Sequence, residues 1–258
     1  LSPSRLRGSD AVEDWWVTVP KAARALEFAC DHLFVLPRCI SCLRGSLVSP
    51  CPDCAQSVFH RVNGCRKCGF ALNRGDICGD CLTRKRPFEQ LEFIGYYQPP
   101  FAQTLQAFKF HNRPGLAPHF ARFALAMDRV ARLVGRCDAV TYVPATPARL
   151  SRRGYNQSLL LAREIARRTR KPLVHALEKV RETPPQVGLN YGNRIQNLRG
   201  AFKVCLPFRL PVYKKTILLV DDIYTTGATV EACAKPLLRA GAANVYVLVL
   251  ARSRNTPP

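Results

Sequence analysis

Apolar runs and apolar-periodic stretches alternate along the second half of the chain. Ala139 to Val143 reads as a short buried strand, Asn156 to Arg168 as a helix, Ile217 to Val220 as a second strand, Val230 to Leu238 as a helix and Val245 to Leu250 as a third strand. Strands that are apolar throughout leave no face for water. Joined by helices of about a dozen residues, they predict an α/β fold whose parallel sheet is covered on both sides. Upstream, Phe93 to Tyr97 reads as a strand and Phe101 to Phe110 as a helix with Leu105 and Phe108 inward. The spacing from Leu116 to Leu133 predicts one further helix, with Pro118 marking its start. An N-terminal helical arm, residues 1–36, is polar and mixed in charge as far as Asp14 and then carries Trp15, Trp16, Ala22, Ala25, Leu26 and Ala29 at helical spacing. Glu182 to Arg199 holds Pro184, Pro185, Gly188 and Gly192 without a clear period. Such a length is unusual for a plain connection and predicts a functional loop.

Residues 37–86 break this pattern, with little periodicity and many turn residues. A stretch of that kind cannot bury enough apolar surface to fold unaided, and its cysteines say what helps. Eight of the chain's twelve form four C-x-x-C pairs. Each pair places two thiolates on one knuckle, and two knuckles complete a tetrahedral zinc site. In sequence order, Cys39, Cys42, Cys51 and Cys54 make one site, and Cys65, Cys68, Cys78 and Cys81 the other. A cross-braced pairing, first knuckle with third and second with fourth, fits the spacing too. Neither set includes His or carboxylate or leaves an obvious open position, so two structural Zn²⁺ sites are expected rather than a catalytic one. Cys30, Cys137, Cys205 and Cys233 stand outside the repeat and read as core thiols. Clustered cysteines of this kind suit a reducing compartment, which makes the cytoplasm the expected location. No stretch approaches the roughly 20 apolar residues of a membrane span, and no secretion signal is visible.

Thr216 to Thr229 carries the chemistry. Four apolar residues lead into Asp221 and Asp222, then into Thr225, Thr226, Gly227, Ala228 and Thr229, then into a helix. A helix N-terminus preceded by hydroxyls and a glycine favours a phosphate, through unpaired N–H groups and the helix dipole. Two carboxylates would repel that phosphate directly. Their useful partners are sugar hydroxyls, or a hard cation such as Mg²⁺. Together the loop asks for a ribose phosphate with metal and further phosphate nearby.

Charge extends that reading. The chain of 258 residues carries a formal net charge of +21, which suits a polyanionic partner. Between Ala139 and Val220 there are sixteen Lys or Arg against Glu164, Glu178 and Glu182. Arg163, Arg167 and Arg170 recur at helical spacing opposite Leu159, Ala162, Ile165 and Ala166, so one helix is expected to show a basic stripe that tracks a phosphate backbone. Tyr155, Tyr191, Tyr224 and Phe110 are candidate stacking platforms for bases. Lys109 closes an amphipathic helix within reach of the same ligand, whereas His111 and His119 sit in no constellation.

The D-D-x-x-T-T-G-A-T string resembles the 5-phosphoribosyl-1-pyrophosphate (PRPP) motif of type I phosphoribosyltransferases. The cysteine pairs, Leu105-x3-Lys109, Val143-Pro144, Arg152-Arg153-Gly154-Tyr155-Asn156-Gln157, Gln186, Arg194-x2-Asn197-Leu198 and Ala201-Phe202 together resemble the ComF/GntX family of ComFC-like competence proteins. The resemblance runs from Cys39 to Arg252. It implies a type I phosphoribosyltransferase-like domain over residues 87–258 behind the zinc domain. Asp221 and Asp222 would hold the ribose 2′- and 3′-hydroxyls with Mg²⁺ close by. Residues Thr225 to Thr229 would wrap the 5-phosphate, and Val143, Pro144, Ala145 and Thr146 would form the pyrophosphate loop. Arg152 and Arg153 match a basic pair of the family, while Lys179 stands where the family has Arg, keeping the charge without the bidentate fork. The implied partners are PRPP or a related ribose phosphate, single-stranded DNA taken up in transformation, and a DNA-uptake helicase. The oligomeric state stays open, a dimer included. Three readings follow: a PRPP- and DNA-binding protein, an active phosphoribosyltransferase on an unnamed acceptor, and a metabolite-sensing scaffold that binds protein through its zinc arm.

Overall fold

The computed structural model describes residues 38–46, 49–59, 64–182, 196–205, 207 and 209–253. The expected arm helix, Cys30, Gln186, Tyr191, Arg194 and most of the 182–199 connection lie outside them.

Four strands form one parallel sheet. They are β1 (Gln90–Tyr96), β2 (Ala139–Tyr142), β5 (Thr216–Tyr224) and β6 (Asn244–Arg252), in the order β1-β6-β5-β2. Two shorter strands, β3 (Leu177–Lys179) and β4 (Phe202–Val204), pair antiparallel beside it. The expected burial on both sides is met, because alternate residues enter two separate cores. Leu218, Val220, Leu248 and Leu250 face one core, and Ile217, Leu219, Val245, Val247 and Val249 face the other. Helices α2 (Phe101–Phe110), α3 (Leu116–Ala126), α4 (Asp128–Gly135) and α6 (Gln157–Thr169) cover the first face with Leu105, Phe108, Phe120, Val130, Leu133, Leu161 and Ile165. Helix α8 (Ala228–Arg239) and the β3–β4 pair cover the second with Val230, Cys233, Leu237, Leu177 and Phe202. Two short helices, α5 (Pro147–Arg153) and α7 (Arg209–Val212), complete the domain.

Two local expectations need correction. The stretch from Leu116 to Leu133 is two helices rather than one. Met127 is extended (φ −84°, ψ 119°), and Asp128 restarts the helix in its first turn, where a carboxylate meets the positive end of the dipole. Pro118 sits in the first turn of α3, where its missing N–H breaks no bond. The second strand also outruns its apolar core. β5 continues through both acids to Tyr224 because Asp221, Ile223 and Tyr224 pair with Val249, Ala251 and Arg252 of β6. β2 pairs with β5 only as far as Tyr142 opposite Val220.

The cysteine-rich segment docks on this domain. Val58 and Phe59 enter the first core, where the Phe59 ring lies 5.0 Å from Phe101 and 4.9 Å from Phe123. The second half, which includes helix α1 (Gly79–Thr83), binds near the ends of β1 and β6. Leu91 N donates to Lys67 O at 2.9 Å and Arg252 Nε to Cys68 O at 2.9 Å. Among the described residues, no helix is long and apolar enough to cross a membrane.

Phe120 joins these parts, with no exposed surface and with rings 6.0 Å from Phe101 and 5.4 Å from Phe108. Phe120→Ala is expected to cost about 3–5 kcal/mol of stability, read as a lower urea midpoint at unchanged slope.

Candidate functional site

The helix that follows β2 packs on one face of the sheet and the helix that follows β5 on the other, so a crevice opens at the carboxyl ends of these neighbouring strands. Open α/β sheets take ligands at such switch points. Because β2 stops short, one side of β5 is left unpaired where Asp221 and Asp222 lie.

The two acids have different surroundings. Asp221 is buried and accepts hydrogen bonds from Ser158 Oγ and from Asp222 N, both at 2.9 Å. Burial, reinforced by the charge of Asp222, pushes its carboxyl up to about 7. Asp222 is paired with Lys109 Nζ at 2.9 Å. The sequence placed Lys109 near the ligand, and α2 delivers it there. Its carbonyl is held by Gln157 Nε2 at 3.1 Å, and the carbonyl of Phe108 accepts from the Tyr155 hydroxyl.

The run from Arg152 to Gln157 therefore has a local mechanical meaning. Gly154, left-handed at φ 77°, ends α5. Asn156 caps α6, accepting from the backbone of Ser158 at 2.9 Å and Leu159 at 3.2 Å, and its amide donates to Val143 O at 3.0 Å. The same turn points Ser158 at Asp221. Ser158 escaped the sequence reading, although its place two residues after an N-cap at the end of the Gly-Tyr-Asn-Gln run was the available signal.

Beyond β5, residues 225–229 turn into α8, and a pocket of ≈ 200 Å³ is lined by Asp221 and Ile223 to Val230. Gly227 caps α8 at φ 86°, and a Cβ there would lie 2.4 Å from the Tyr224 hydroxyl. Only glycine fits. Val143 and Pro144 to Thr146 leave the end of β2, and Thr146 is buried as the cap of α5, accepting from Arg149 N at 3.4 Å. Arg152 is exposed and bonds its own helix through Ala148 O at 3.4 Å. Arg153 is half-buried, stacks on Phe110 at 4.8 Å and feels the charge of Asp222. The pair thus points to two different places. Lys179 sits on β3, 5.8 Å from the Phe202 ring, its ammonium lowered by burial and then by Arg149.

Among the stacking candidates, Phe110 is 61% exposed, Tyr155 is tied into the core side and Tyr224 is buried with 1% exposure. Tyr224 is no platform, because its ring lies under Gly227 and against Arg252 at 5.5 Å. Arg163, Arg167, Arg168 and Arg170 reach the surface, yet Glu164 takes Arg167 at 2.8 Å and lies 3.7 Å from Arg168. The stripe is partly neutralised.

The eight knuckle cysteines resolve into two clusters in sequence order, Cys39, Cys42, Cys51 and Cys54, and Cys65, Cys68, Cys78 and Cys81. Within each, the sulfurs lie within 4.8 Å of one another. Thiols this close titrate against one another. A hydrogen bond from Cys54 lowers Cys39 to about 4, whereas burial raises Cys51 to about 11. Backbone N–H groups of Ser41 and Cys51 reach Cys39 Sγ at 3.4 and 3.3 Å. This is a donor set for a thiophilic tetrahedral cation, which takes all four as thiolates and removes their mutual penalty. The chain therefore carries a double zinc-binding module, with four cysteines to each site. Cys137 and Cys233 are buried core thiols as expected, and Cys205 is only partly covered.

DNA utilization protein YhgH of Salmonella typhi is 34% identical to this chain over 216 residues, covering 79% of this chain and 90% of the relative. Competence protein F of Haemophilus influenzae is 32% identical over 225 residues, covering 84% and 97%. The chain belongs to the competence protein F/YhgH family. Competence protein ComFC of Bacillus subtilis is similar at 26% identity over 213 residues, covering 79% of this member of the family and 84% of its own length. No protein-family model matches. Among solved structures, a glutamine PRPP amidotransferase from B. subtilis complexed with ADP and GMP aligns with a TM-score of 0.37 and 21% identity, over 56% of this chain and 30% of that one.

Two outcomes follow from the site. Elemental analysis of the purified protein is expected to find about two zinc ions per chain, and Cys54→Ser to remove one of them. Asp221, usually near 3.8, keeps its proton in the folded state up to about 7. The folded state then binds more protons than the unfolded chain between those values, so this group's contribution to stability falls as pH rises from about 4 to about 7 and is flat above. Asp221→Asn is expected to raise the ligand-free Tm more at pH 8 than at pH 6, and an equal gain at both would refute the assignment.

Proposed function

We propose that this chain binds PRPP with Mg²⁺ in the crevice between β2 and β5 and acts on single-stranded DNA during its uptake or processing. The observation that carries this reading is the carboxylate pair, held by Ser158 and Lys109 on an unpaired stretch of strand, directly before a glycine-led helix N-terminus. Asp221 and Asp222 accept from the ribose 2′- and 3′-hydroxyls. The 225–229 backbone and the hydroxyls of Thr225, Thr226 and Thr229 receive the 5-phosphate, which the opening dipole of α8 favours. Residues 143–146 lie on the opposite wall for the pyrophosphate, with Arg153 and Lys179 as its cationic neighbours. Mg²⁺, when bound, would neutralise pyrophosphate charge beside the acids. A phosphoribosyltransferase-type fold agrees with the parallel sheet and with the placement of the acids at its switch point. The DNA part draws on the relatives' names as competence and DNA utilization proteins, on the net charge of +21 and on the exposed Arg163 and on Arg170.

A second reading, turnover of PRPP, is favoured by the exposed Phe110 ring backed by Arg153 at 4.8 Å. That ring offers a planar acceptor a surface beside the site. In such a reaction the acceptor's lone pair bonds to ribose C1 as the C1–O bond to pyrophosphate breaks, and the electron pair leaves with pyrophosphate. The protein's share is orientation and exclusion of water.

Calorimetric titration of PRPP with and without Mg²⁺ tests the first reading. Saturable, Mg²⁺-dependent binding is expected in the wild type, and Asp221→Asn with Asp222→Asn is expected to abolish it while zinc content stays unchanged. Wild-type affinity in that double variant would sink the roles given to the acids. For the DNA part, affinity for an arbitrary single strand is expected to fall steeply with salt, and replacing Arg163 and Arg170 by Gln to flatten that slope.

A further inference from the structure

The segment Arg84-Lys85-Arg86-Pro87 reads as a solvated basic link, yet Arg86 is buried, its side chain only 1% exposed. Its guanidinium bridges two carboxylates that belong to different parts of the molecule. One is Asp80, which lies between Cys78 and Cys81 on α1 of the second cysteine cluster. The other is Glu231, in the first turn of α8, whose backbone N donates to Gly227 O at 2.9 Å. A second buried guanidinium runs parallel to it. Arg252, fully buried at the end of β6, donates to Cys68 O at 2.9 Å and lies between the rings of Phe70 at 5.2 Å and Tyr224 at 5.5 Å. Tyr224 in turn supports the loop from below, with its hydroxyl, which has no hydrogen-bond partner among the described residues, directly under Gly227. Two charged struts therefore start in the second zinc knuckles and end against the residues that shape 225–229. Among the described residues, the first cysteine cluster has no such strut. It meets the domain through Val58, Phe59 and a hydrogen bond from the Thr104 hydroxyl to Ser41 O, on the other face of the sheet.

We propose that Arg86 is a positioning residue which makes the geometry of the 225–229 loop depend on the second zinc site, so that metal held there controls affinity for a ribose phosphate held elsewhere. The ligand half of this rests on the PRPP reading. The mechanical half does not, because the ion pairs and the loop are formed by the chain alone. Asp80 is fixed only when Cys78 and Cys81 are gathered into one site. With Asp80 fixed, Arg86 holds Glu231 and the first turn of α8 in register under Gly227. With the knuckle open, a buried guanidinium and carboxylate lose their alignment, and the first turn of α8 is released.

Hydrogen exchange on the ligand-free full chain reads the link without any use of PRPP. The test variant is Arg86→Met combined with Asp80→Asn and Glu231→Gln, so that no buried carboxylate is left unpaired and the chain still folds. Exchange at 225–229 is expected to speed up about tenfold or more, a local opening that leaves 217–220 at wild-type rates. Zinc is expected to stay at about two ions per chain. Arg86→Lys, which keeps the charge without the fork, is expected to restore part of the protection. Cys81→Ser, which opens the second site, is expected to speed the same amides, and Cys42→Ser in the first site to leave them unchanged. Wild-type exchange at 225–229 in the triple variant overturns the proposal, as does acceleration spread equally over 217–220. Calorimetry then reads the ligand half, where the triple variant is expected to bind Mg²⁺-PRPP about tenfold more weakly. Unchanged affinity overturns that half. If the wild type itself binds no PRPP, the PRPP reading falls, and the exchange result still decides whether Arg86 couples zinc to the loop.

Discussion

β5 keeps its hydrogen-bonded partner β6 from Thr216 to Tyr224, but its other neighbour, β2, stops opposite Val220. A parallel strand left half-paired has backbone groups and side chains to offer, and the rest of the molecule is arranged around that gap. α6 begins beside it and supplies Ser158. α2 ends beside it and supplies Lys109. α8 begins where β5 stops and closes the crevice with a turn that only glycine can make. Each contributes from a different part of the chain, yet all are fixed by the mismatch in length between two neighbouring strands.

The crevice holds groups that a folding chain would not bury without compensation. Asp221 is desolvated and beside a second carboxylate, so its ionised form is disfavoured by both burial and like charge. Ser158, the Asp222 N–H and Lys109 offset part of that cost. A ligand with hydroxyls or an associated cation offsets more of it, which links the instability of the free site to its affinity. The same logic governs the knuckle cysteines, where four crowded thiols are tolerable chiefly as ligands of one cation. Arg86 and Arg252 run between these two electrostatic centres, and in a low-dielectric interior such buried pairs hold direction more firmly than surface pairs do.

Much of this was legible in the linear pattern. The helix from Phe101 to Phe110 was readable because its apolar spacing is unbroken and its inward residues, Leu105 and Phe108, have one face to occupy. The strand at 217–220 was readable in kind but not in length, since Asp221 and Asp222 carry no strand signal and continue the strand only because β6 is there to pair with. The spacing from Leu116 to Leu133 suggested one helix, as two amphipathic helices separated by a single extended residue keep nearly the same period. Tyr224 looked like a base platform from its place beside the acids, but the left-handed turn at Gly227 folds the loop over its ring. Arg152 and Arg153 could not be separated in sequence, because adjacent residues at the end of a short helix point about 100° apart and only their neighbours decide which is covered.

What the sequence determined by itself was local chemistry: four knuckles able to bind metal, a phosphate-type loop behind two acids, a sheet buried on both faces, and an excess of positive charge. These follow from spacing and residue type, which act over a few residues. The tertiary structure alone decided which knuckles share a site, which base meets which acid, and how Arg86 ties the second metal cluster to α8. Those contacts join residues as far apart as Arg86 and Glu231, or Lys109 and Asp222. Such distances along the chain are closed by the packing of the whole fold rather than by any periodicity within it.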